Sequence, residues 1–125
     1  MADPDPVKLQ EAVNKTQLVE PLVLRDLKLA IEGLGYNQGV LVKDDTFEVV
    51  DRPKWKDMRR LMGCDGIEFM SMPQRLESGR PLEMAVDEFG KMKGGWEERV
   101  NPLASNLVEL QDLIVGPAIV RIGDC

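Results

Sequence analysis

Histidine is absent from the 125 residues, and this absence narrows the available chemistry more than any other feature of the composition. Histidine is the commonest general base near neutral pH and the commonest metal ligand among protein side chains. Without it, one chain cannot form the Ser–His or Cys–His pairs that activate most hydrolytic nucleophiles. The composition therefore argues against most classes of enzyme, and it predicts that the protein has no catalytic residue, cofactor or metal ion.

Cysteine, aromatic residues and long apolar runs are also scarce. The two cysteines, Cys64 and Cys125, are far apart in the sequence, which fits neither a disulfide framework nor a cysteine zinc site. No apolar run approaches the ~20 residues that span a bilayer. The first residues, 1–6, are acidic and proline-rich, unlike a signal or transit peptide. These features predict a cytoplasmic protein (in the host cytoplasm if viral) with no membrane partner.

Positive charge is in deficit, since the formal net charge is −6. Phosphate binding depends on clustered lysine and arginine, so the charge argues against a nucleic-acid partner. An acidic excess of this size is typical of ordinary solubility, and it leaves a basic protein partner open.

The hydrophobic pattern predicts one domain of four helices and five strands in the order α, α, β, β, α, β, β, α, β. Helices are predicted at about 6–15, from Pro21 to Gly33, from Arg52-Pro53 to Gly63 and from Pro102 to Leu110, and strands at 39–43, 46–50, 67–72, 82–86 and 113–122. The last strand is apolar on both alternating faces, which is typical of a central strand, and Gly116-Pro117 predicts a bend in it. Asn101 before Pro102 predicts a helix cap that contributes about 1 kcal/mol.

This order predicts an α+β fold. We expect a single mixed or mainly antiparallel sheet of about five strands, with helices packed mainly on one face and an N-terminal helical extension. The expected organisation is a disordered tail at 1–6, a helical segment at 7–38 and an α+β domain at 39–125. In the third helix, Trp55, Met58, Leu61 and Met62 are expected to face the core. Leu103, Leu107 and Leu110 are expected to do so in the fourth.

From about Gly39 to Gly123 the sequence resembles a small family catalogued as a domain of unknown function, number thirty-eight forty-six. The matching pieces are the 39–50 hairpin, Leu61-Met62-Gly63, Gly66-Ile67-Glu68, Val86-Asp87-Glu88-Phe89-Gly90-Lys91, Asn101-Pro102-Leu103-Ala104 and Asp112-Leu113-Ile114-Val115-Gly116-Pro117-Ala118. The family usually has paired glycines before the Ile-Glu step, whereas here Cys64-Asp65 separates Gly63 from Gly66. The N-terminal helix has no counterpart in the family. The resemblance implies a bacteriophage, plasmid or other mobile-element setting and no particular activity.

Three surfaces are candidates for binding a partner. The first is the helix stripe Val23, Leu27 and Ile31, which could instead pack on the protein's own sheet. The second is the loop carrying Trp96 and Arg99, residue types common at interfaces, although covering the end of the core is the commoner role for such a tryptophan. The third is the basic helix face, defined as Lys54, Lys56, Arg59 and Arg60, which could also be a solvated face.

The expected function is therefore that of a small acidic, non-enzymatic interaction protein of phage or mobile-element origin. Its expected partner is an unidentified protein, and a homodimer through the N-terminal helix is one version. An alternative is a small-ligand binder that sequesters nucleotides, with Trp96 stacking on the base. A third is a carboxylate–metal enzyme, for which the turn residues Asp44, Asp45, Asp51, Asp87 and Glu88 are the candidates.

Overall fold

In the computed structural model, which describes residues 3–123, five strands form one antiparallel sheet with helices on both faces. The elements are α1 Pro6–Gln17, α2 Pro21–Glu32, β1 Gln38–Val42, β2 Phe47–Asp51, α3 Trp55–Met62, β3 Ile67–Arg75, β4 Pro81–Asp87, α4 Pro102–Leu107 and β5 Ala118–Ile122. Two short 3-10 helices, Gly90–Met92 and Trp96–Arg99, lie between β4 and α4. The predicted α+β fold is confirmed.

The sheet has the strand order β2-β1-β5-β4-β3, so the last strand in the sequence lies at its centre, as predicted. β1 and β2 form the predicted hairpin, with Val40 opposite Val49. β5 begins only at Ala118, because Gly116 adopts a φ of 76° and Pro117 has no amide to donate to a ladder. Before this bend, Val115 forms an isolated bridge with Val100.

Most of the helical mass lies on one face of the sheet. There, Leu27 of α2 and Leu103 of α4 are buried in one apolar cluster with Val40 and Val120 of the sheet. α1 packs against α4 and the second 3-10 helix rather than directly on the strands. Helices packed mainly on one face were predicted, and this arrangement confirms the prediction.

Among the helices of residues 3–123, α3 alone covers the opposite face of the sheet. Its buried side chains are Met58 and Met62, which are packed with Leu41 and Ile119. The expected inward positions of Trp55 and Leu61 are wrong, since both side chains are exposed. This helix has only eight residues and contacts the sheet through Met58 and Met62, which are four residues apart and lie on one side of it. Leu61 lies about 100° from Met62 around the helix axis, so its side chain points away from the sheet.

Other boundaries differ from the predicted ones for local reasons. α4 ends at Leu107, because Glu109 and Leu110 adopt positive φ angles of 55° and 58°, and Leu110 is exposed rather than in the core. β3 continues to Arg75, although its register against β4 shifts after Ser71. A register shift of this kind is not marked by a local sequence pattern, so its position could not be predicted from the sequence.

The expected disordered tail at 1–6 is wrong for its last residues. The Asp5 side chain accepts hydrogen bonds from the amides of Val7 and Lys8 and so caps α1, and Pro6 is the first residue of that helix. The remaining part of that prediction includes Met1 and Ala2, which lie outside the described residues.

Candidate functional site

The structure buries most of the α2 stripe that was a candidate partner surface. Leu27 is completely buried and Ile31 is nearly so, both against the protein's own sheet. Val23 is half-buried at the edge of the same cluster. The prediction that Leu27 and Ile31 bind a partner is therefore wrong. The version of the homodimer that used this stripe fails for the same reason, because these side chains already fill the core.

Trp96 is also buried, and its proposed role in stacking or partner contact is wrong. Only 4% of its surface is exposed, and it packs with Ala12, Val100 and Val115. This arrangement matches the other interpretation, in which the tryptophan covers the end of the core. The nucleotide alternative thereby loses its stacking residue. Arg99 stays exposed, and its Nη2 donates to the carbonyl oxygen of Gly90 at 3.3 Å.

The basic helix face lies on the outer side of α3, where Lys56, Arg59 and Arg60 are exposed. Arg60 forms an exposed ion pair with Asp57 at 3.2 Å. Because α3 covers the face of the sheet opposite to α2 and α4, these cations do not meet the α2 stripe. Arg99 of the second candidate surface lies nearer, since it lines one cleft with Met62 and Gly63 at the end of α3. The three predicted surfaces are therefore not parts of one site.

Two of the turn carboxylates, Asp44 and Asp87, line one cleft with Glu98, but within the described chain they do not form a metal site. Among residues 3–123, no group of three or more Cys, Asp or Glu side chains is placed to hold a metal ion. Asp44 instead pairs with Lys15 at 3.2 Å. Asp87 accepts a hydrogen bond from the Phe89 amide at 2.9 Å, which is an ordinary turn contact.

One concave surface of the structure was not predicted from the sequence. It is a groove of about 480 Å³ between the α1–α2 corner, the β1–β2 turn and the start of α4. We call it the corner groove. Its floor is apolar and consists of Val19, Val23, Pro102 and Leu103. Leu18 stands at its rim with 82% of its surface exposed, the highest exposure of any large hydrophobic residue in the described chain.

The rim of the corner groove is acidic. Glu11, Glu20, Asp44 and Asp45 are exposed there, against the single cation Lys15. Lys15 is already engaged, since its Nζ contacts Asp44 at 3.2 Å and donates to the Val100 carbonyl oxygen at 3.3 Å. The rim therefore carries four carboxylates and one ammonium, and its field favours a positively charged ligand.

Short local signals and one long-range hydrogen bond set the position of α1 and α2 at the corner groove. α1 ends at Gln17, the amide of the capping residue Leu18 donates to the Lys15 carbonyl oxygen, and Pro21 starts α2 after only three intervening residues. Asn106 of α4 donates to the Thr16 carbonyl oxygen at 2.8 Å and so ties the end of α1 to α4. The one sequence signal that could have revealed the groove is Leu18-Val19, an apolar pair in a short link between two helices.

Cys64 is half-buried after the end of α3. Burial raises the pKa of its thiol above the ordinary value, and the negative charge of nearby Asp87 adds to this rise. The nucleophilic thiolate is therefore scarcer at neutral pH than in an unfolded chain.

This direction predicts slow alkylation of Cys64. In a Cys125→Ser background, the rate of reaction with iodoacetamide should rise with a midpoint at higher pH in the folded protein than in urea. Asp87→Asn removes the adjacent charge, keeps the hydrogen-bond acceptor and should move this midpoint downward. Steric shielding alone would lower the rate equally at every pH, so identical folded and unfolded midpoints would refute the electrostatic explanation.

Comparisons with protein-family models, curated proteins and solved structures find no match, so the resemblance of residues 39–123 to the family of unknown function stays a prediction. A search of the described residues finds no helix with the length and apolar character needed to cross a bilayer.

Proposed function

We propose that this chain is a non-enzymatic interaction protein whose corner groove binds a basic amphipathic helix of a protein partner. One observation carries the proposal: an apolar floor is bordered by an acidic rim and by an almost fully exposed leucine. A setting in a phage or mobile element, acting in the host cytoplasm, belongs to the same proposal and rests on the family resemblance alone.

The groove favours a peptide segment over a small molecule. Sites for small ligands are lined mainly by apolar side chains, with a few polar groups that converge on the ligand from within. In the corner groove the buried floor residues, Pro102 and Leu103, are apolar, while the charged residues are all exposed at the rim. This layout suits a helix that inserts apolar side chains and leaves its polar face at the border.

The rim specifies the sign of the partner's charge. Exposed rim charges contribute little affinity individually, but together they speed association and disfavour a partner of the same sign. A helix with lysine or arginine beside its apolar anchors complements Glu11, Glu20 and Asp45. The interaction should therefore weaken as the salt concentration rises.

Leu18 is expected to be the main anchor on the protein side. Binding should be measured by fluorescence anisotropy with a labelled amphipathic helical peptide of leucine and lysine. Leu18→Ala should weaken this binding about tenfold, because a central apolar contact typically contributes one to two kcal/mol. Leu29→Ala is the matched control, since Leu29 is 57% exposed on α2 but does not line the groove.

A second pair of measurements tests the rim. A peptide with glutamate in place of lysine should not bind, and Glu20→Lys should weaken binding of the lysine peptide. Glu77→Lys, at an exposed position in the β3–β4 turn, supplies a charge-matched control. Equal losses for Leu18→Ala and Leu29→Ala, or equal binding of the two peptides, would contradict the proposal.

A further inference from the structure

The two edge strands of the sheet differ in how they meet solvent. β3 is irregular, because its register against β4 shifts between Ser71 and Arg75 and Pro73 lies within it. Proline and irregular pairing are common devices that prevent an edge from accepting another strand. β2 has neither: its five residues pair with β1 in continuous register, and no strand within residues 3–123 covers its outer side.

The hydrogen bonds of the hairpin show which peptide groups point outward. The amide of Lys43 donates to the Thr46 carbonyl oxygen at 2.8 Å, and the amide of Arg52 donates to the Asn37 carbonyl oxygen at 2.7 Å. In an antiparallel pair, hydrogen-bonded positions alternate, so Glu48 and Val50 direct their peptide groups toward β1. Phe47, Val49 and Asp51 therefore direct their N–H and C=O groups away from the sheet.

The edge is also asymmetric in charge. The turn that precedes β2 carries Asp44 and Asp45 next to Lys43, a net charge of −1, whereas Asp51 at the end of β2 is followed by Arg52, Lys54 and Lys56, a net charge of +2. A two-fold axis perpendicular to the strands makes two copies of β2 antiparallel, so the acidic end of each copy lies beside the basic end of the other. A parallel arrangement of the same edge would place like charges together. The charge pattern therefore identifies a second copy of this chain as the complementary occupant.

We propose that two copies associate through β2, antiparallel and centred on Val49, so that their sheets join into one continuous sheet. In this register Val49 exchanges two hydrogen bonds with its counterpart, and Phe47 pairs with Asp51 of the second copy on each side. In this register Lys54 lies opposite Asp44 of the other copy and diagonally beside Asp45, at both ends of the edge. Val49, with 49% of its surface exposed, meets its symmetry mate at the centre.

An edge of five residues limits the strength of this association. The contact buries less than the ~1,600 Å² of a standard stable interface, so the dimer should be reversible and dependent on concentration. Sedimentation velocity of the full chain across a concentration series should show a shift from monomer to dimer. A monomer that persists into the millimolar range would overturn the proposal.

Val49→Pro tests the register. The Val49 amide points outward, so proline there removes a central donor of the new ladder without removing a hydrogen bond between β1 and β2. This variant should weaken dimerisation at least tenfold, and a circular-dichroism melt should verify that it folds. Val49→Thr, which keeps the amide, is the matched control. A dimer that is indifferent to Val49→Pro would place the interface elsewhere.

A charge exchange tests the proposal without altering the strand. Asp45→Lys and Lys54→Glu should each weaken the homodimer, because each places like charges together at both ends of the edge. An equimolar mixture of the two variants should form a heterodimer that is stronger than either homodimer, since opposite charges then meet at positions 45 and 54 at both ends. Failure of the mixture to form this stronger heterodimer would contradict the antiparallel register. Peptide binding in the corner groove should be unaffected by Val49→Pro, which separates this proposal from the proposed function.

Discussion

Replacing Leu27 by alanine is expected to lower the free energy of unfolding by about 3 kcal/mol, because it opens a cavity in the main apolar cluster. Leu27 is completely buried and packs between α2 and the sheet. Leu29→Ala is the matched control on the same helix, and it should change the stability by less than about 0.5 kcal/mol. Urea denaturation followed by circular dichroism measures both values.

This pair of variants decides which way α2 faces. A helix that used the Leu27 stripe for a partner would leave Leu27 as tolerant of truncation as Leu29, which is 57% exposed. Similar small losses in the isolated protein would thus contradict the packing described above. A large loss at Leu27 alone would show that the stripe stabilises the chain's own core, which leaves the neighbouring groove as the surface available to a partner.

Replacing Asn101 by alanine is also expected to cost about 3 kcal/mol, because the change removes a helix cap together with two further hydrogen bonds that the buried side chain donates. The Asn101 side-chain oxygen accepts from the Ala104 amide at 3.0 Å. Its amide nitrogen donates to the carbonyl oxygens of Val42 and Gly116, each at 3.0 Å. One completely buried side chain therefore links the start of α4 to β1 and to the bend before β5.

Two further variants separate the cap from the linkage. Asp5→Ala removes a cap from the exposed start of α1 and should cost only about 1 kcal/mol. Asn101→Asp keeps the acceptor, but it removes both donors and buries a carboxylate beside two carbonyl oxygens, so it should destabilise at least as much as alanine. A cost for Asn101→Ala no greater than that for Asp5→Ala would contradict the linkage.

The sequence analysis assigned the cap of α4 correctly but underestimated Asn101. Asparagine followed by proline is a local signal, because the acceptor and the amides that it meets lie within one turn of helix. Both acceptors are distant from Asn101 in the sequence: Val42 belongs to β1, and Gly116 lies at the bend before β5. No local pattern marks such partners, so the larger expected cost follows only from the folded arrangement.

The elements themselves were predictable to the extent that their signals are local. The β1–β2 hairpin, the start of α2 at Pro21 and the central place of β5 all follow from alternation, proline position and two-sided apolarity. The predicted element boundaries were wrong where no characteristic residue type marks the backbone conformation that ends the element. Glu109 and Leu110 adopt positive φ angles although neither is glycine or asparagine, and the predicted helix therefore ran too far.

The candidate surfaces were predicted less well than the elements. A stripe such as Val23, Leu27 and Ile31 indicates that a helix packs on something, and periodicity carries no information on whether that is the same chain. Trp96 next to glycines indicated an open loop, yet Ala12 of α1, distant in sequence, closes over it. The corner groove has contributions from four separate parts of the chain, and only Leu18-Val19 hinted at it.

The sequence by itself determined the class of fold, the order of the strands and helices, and the absence of histidine chemistry, because each depends on composition or on contacts between near neighbours. The tertiary structure alone decided which apolar side chains remain exposed, which carboxylates border the corner groove, and which peptide groups of β2 face outward. These properties depend on how distant segments cover one another, and that coverage is set by packing across the whole chain rather than by any local pattern.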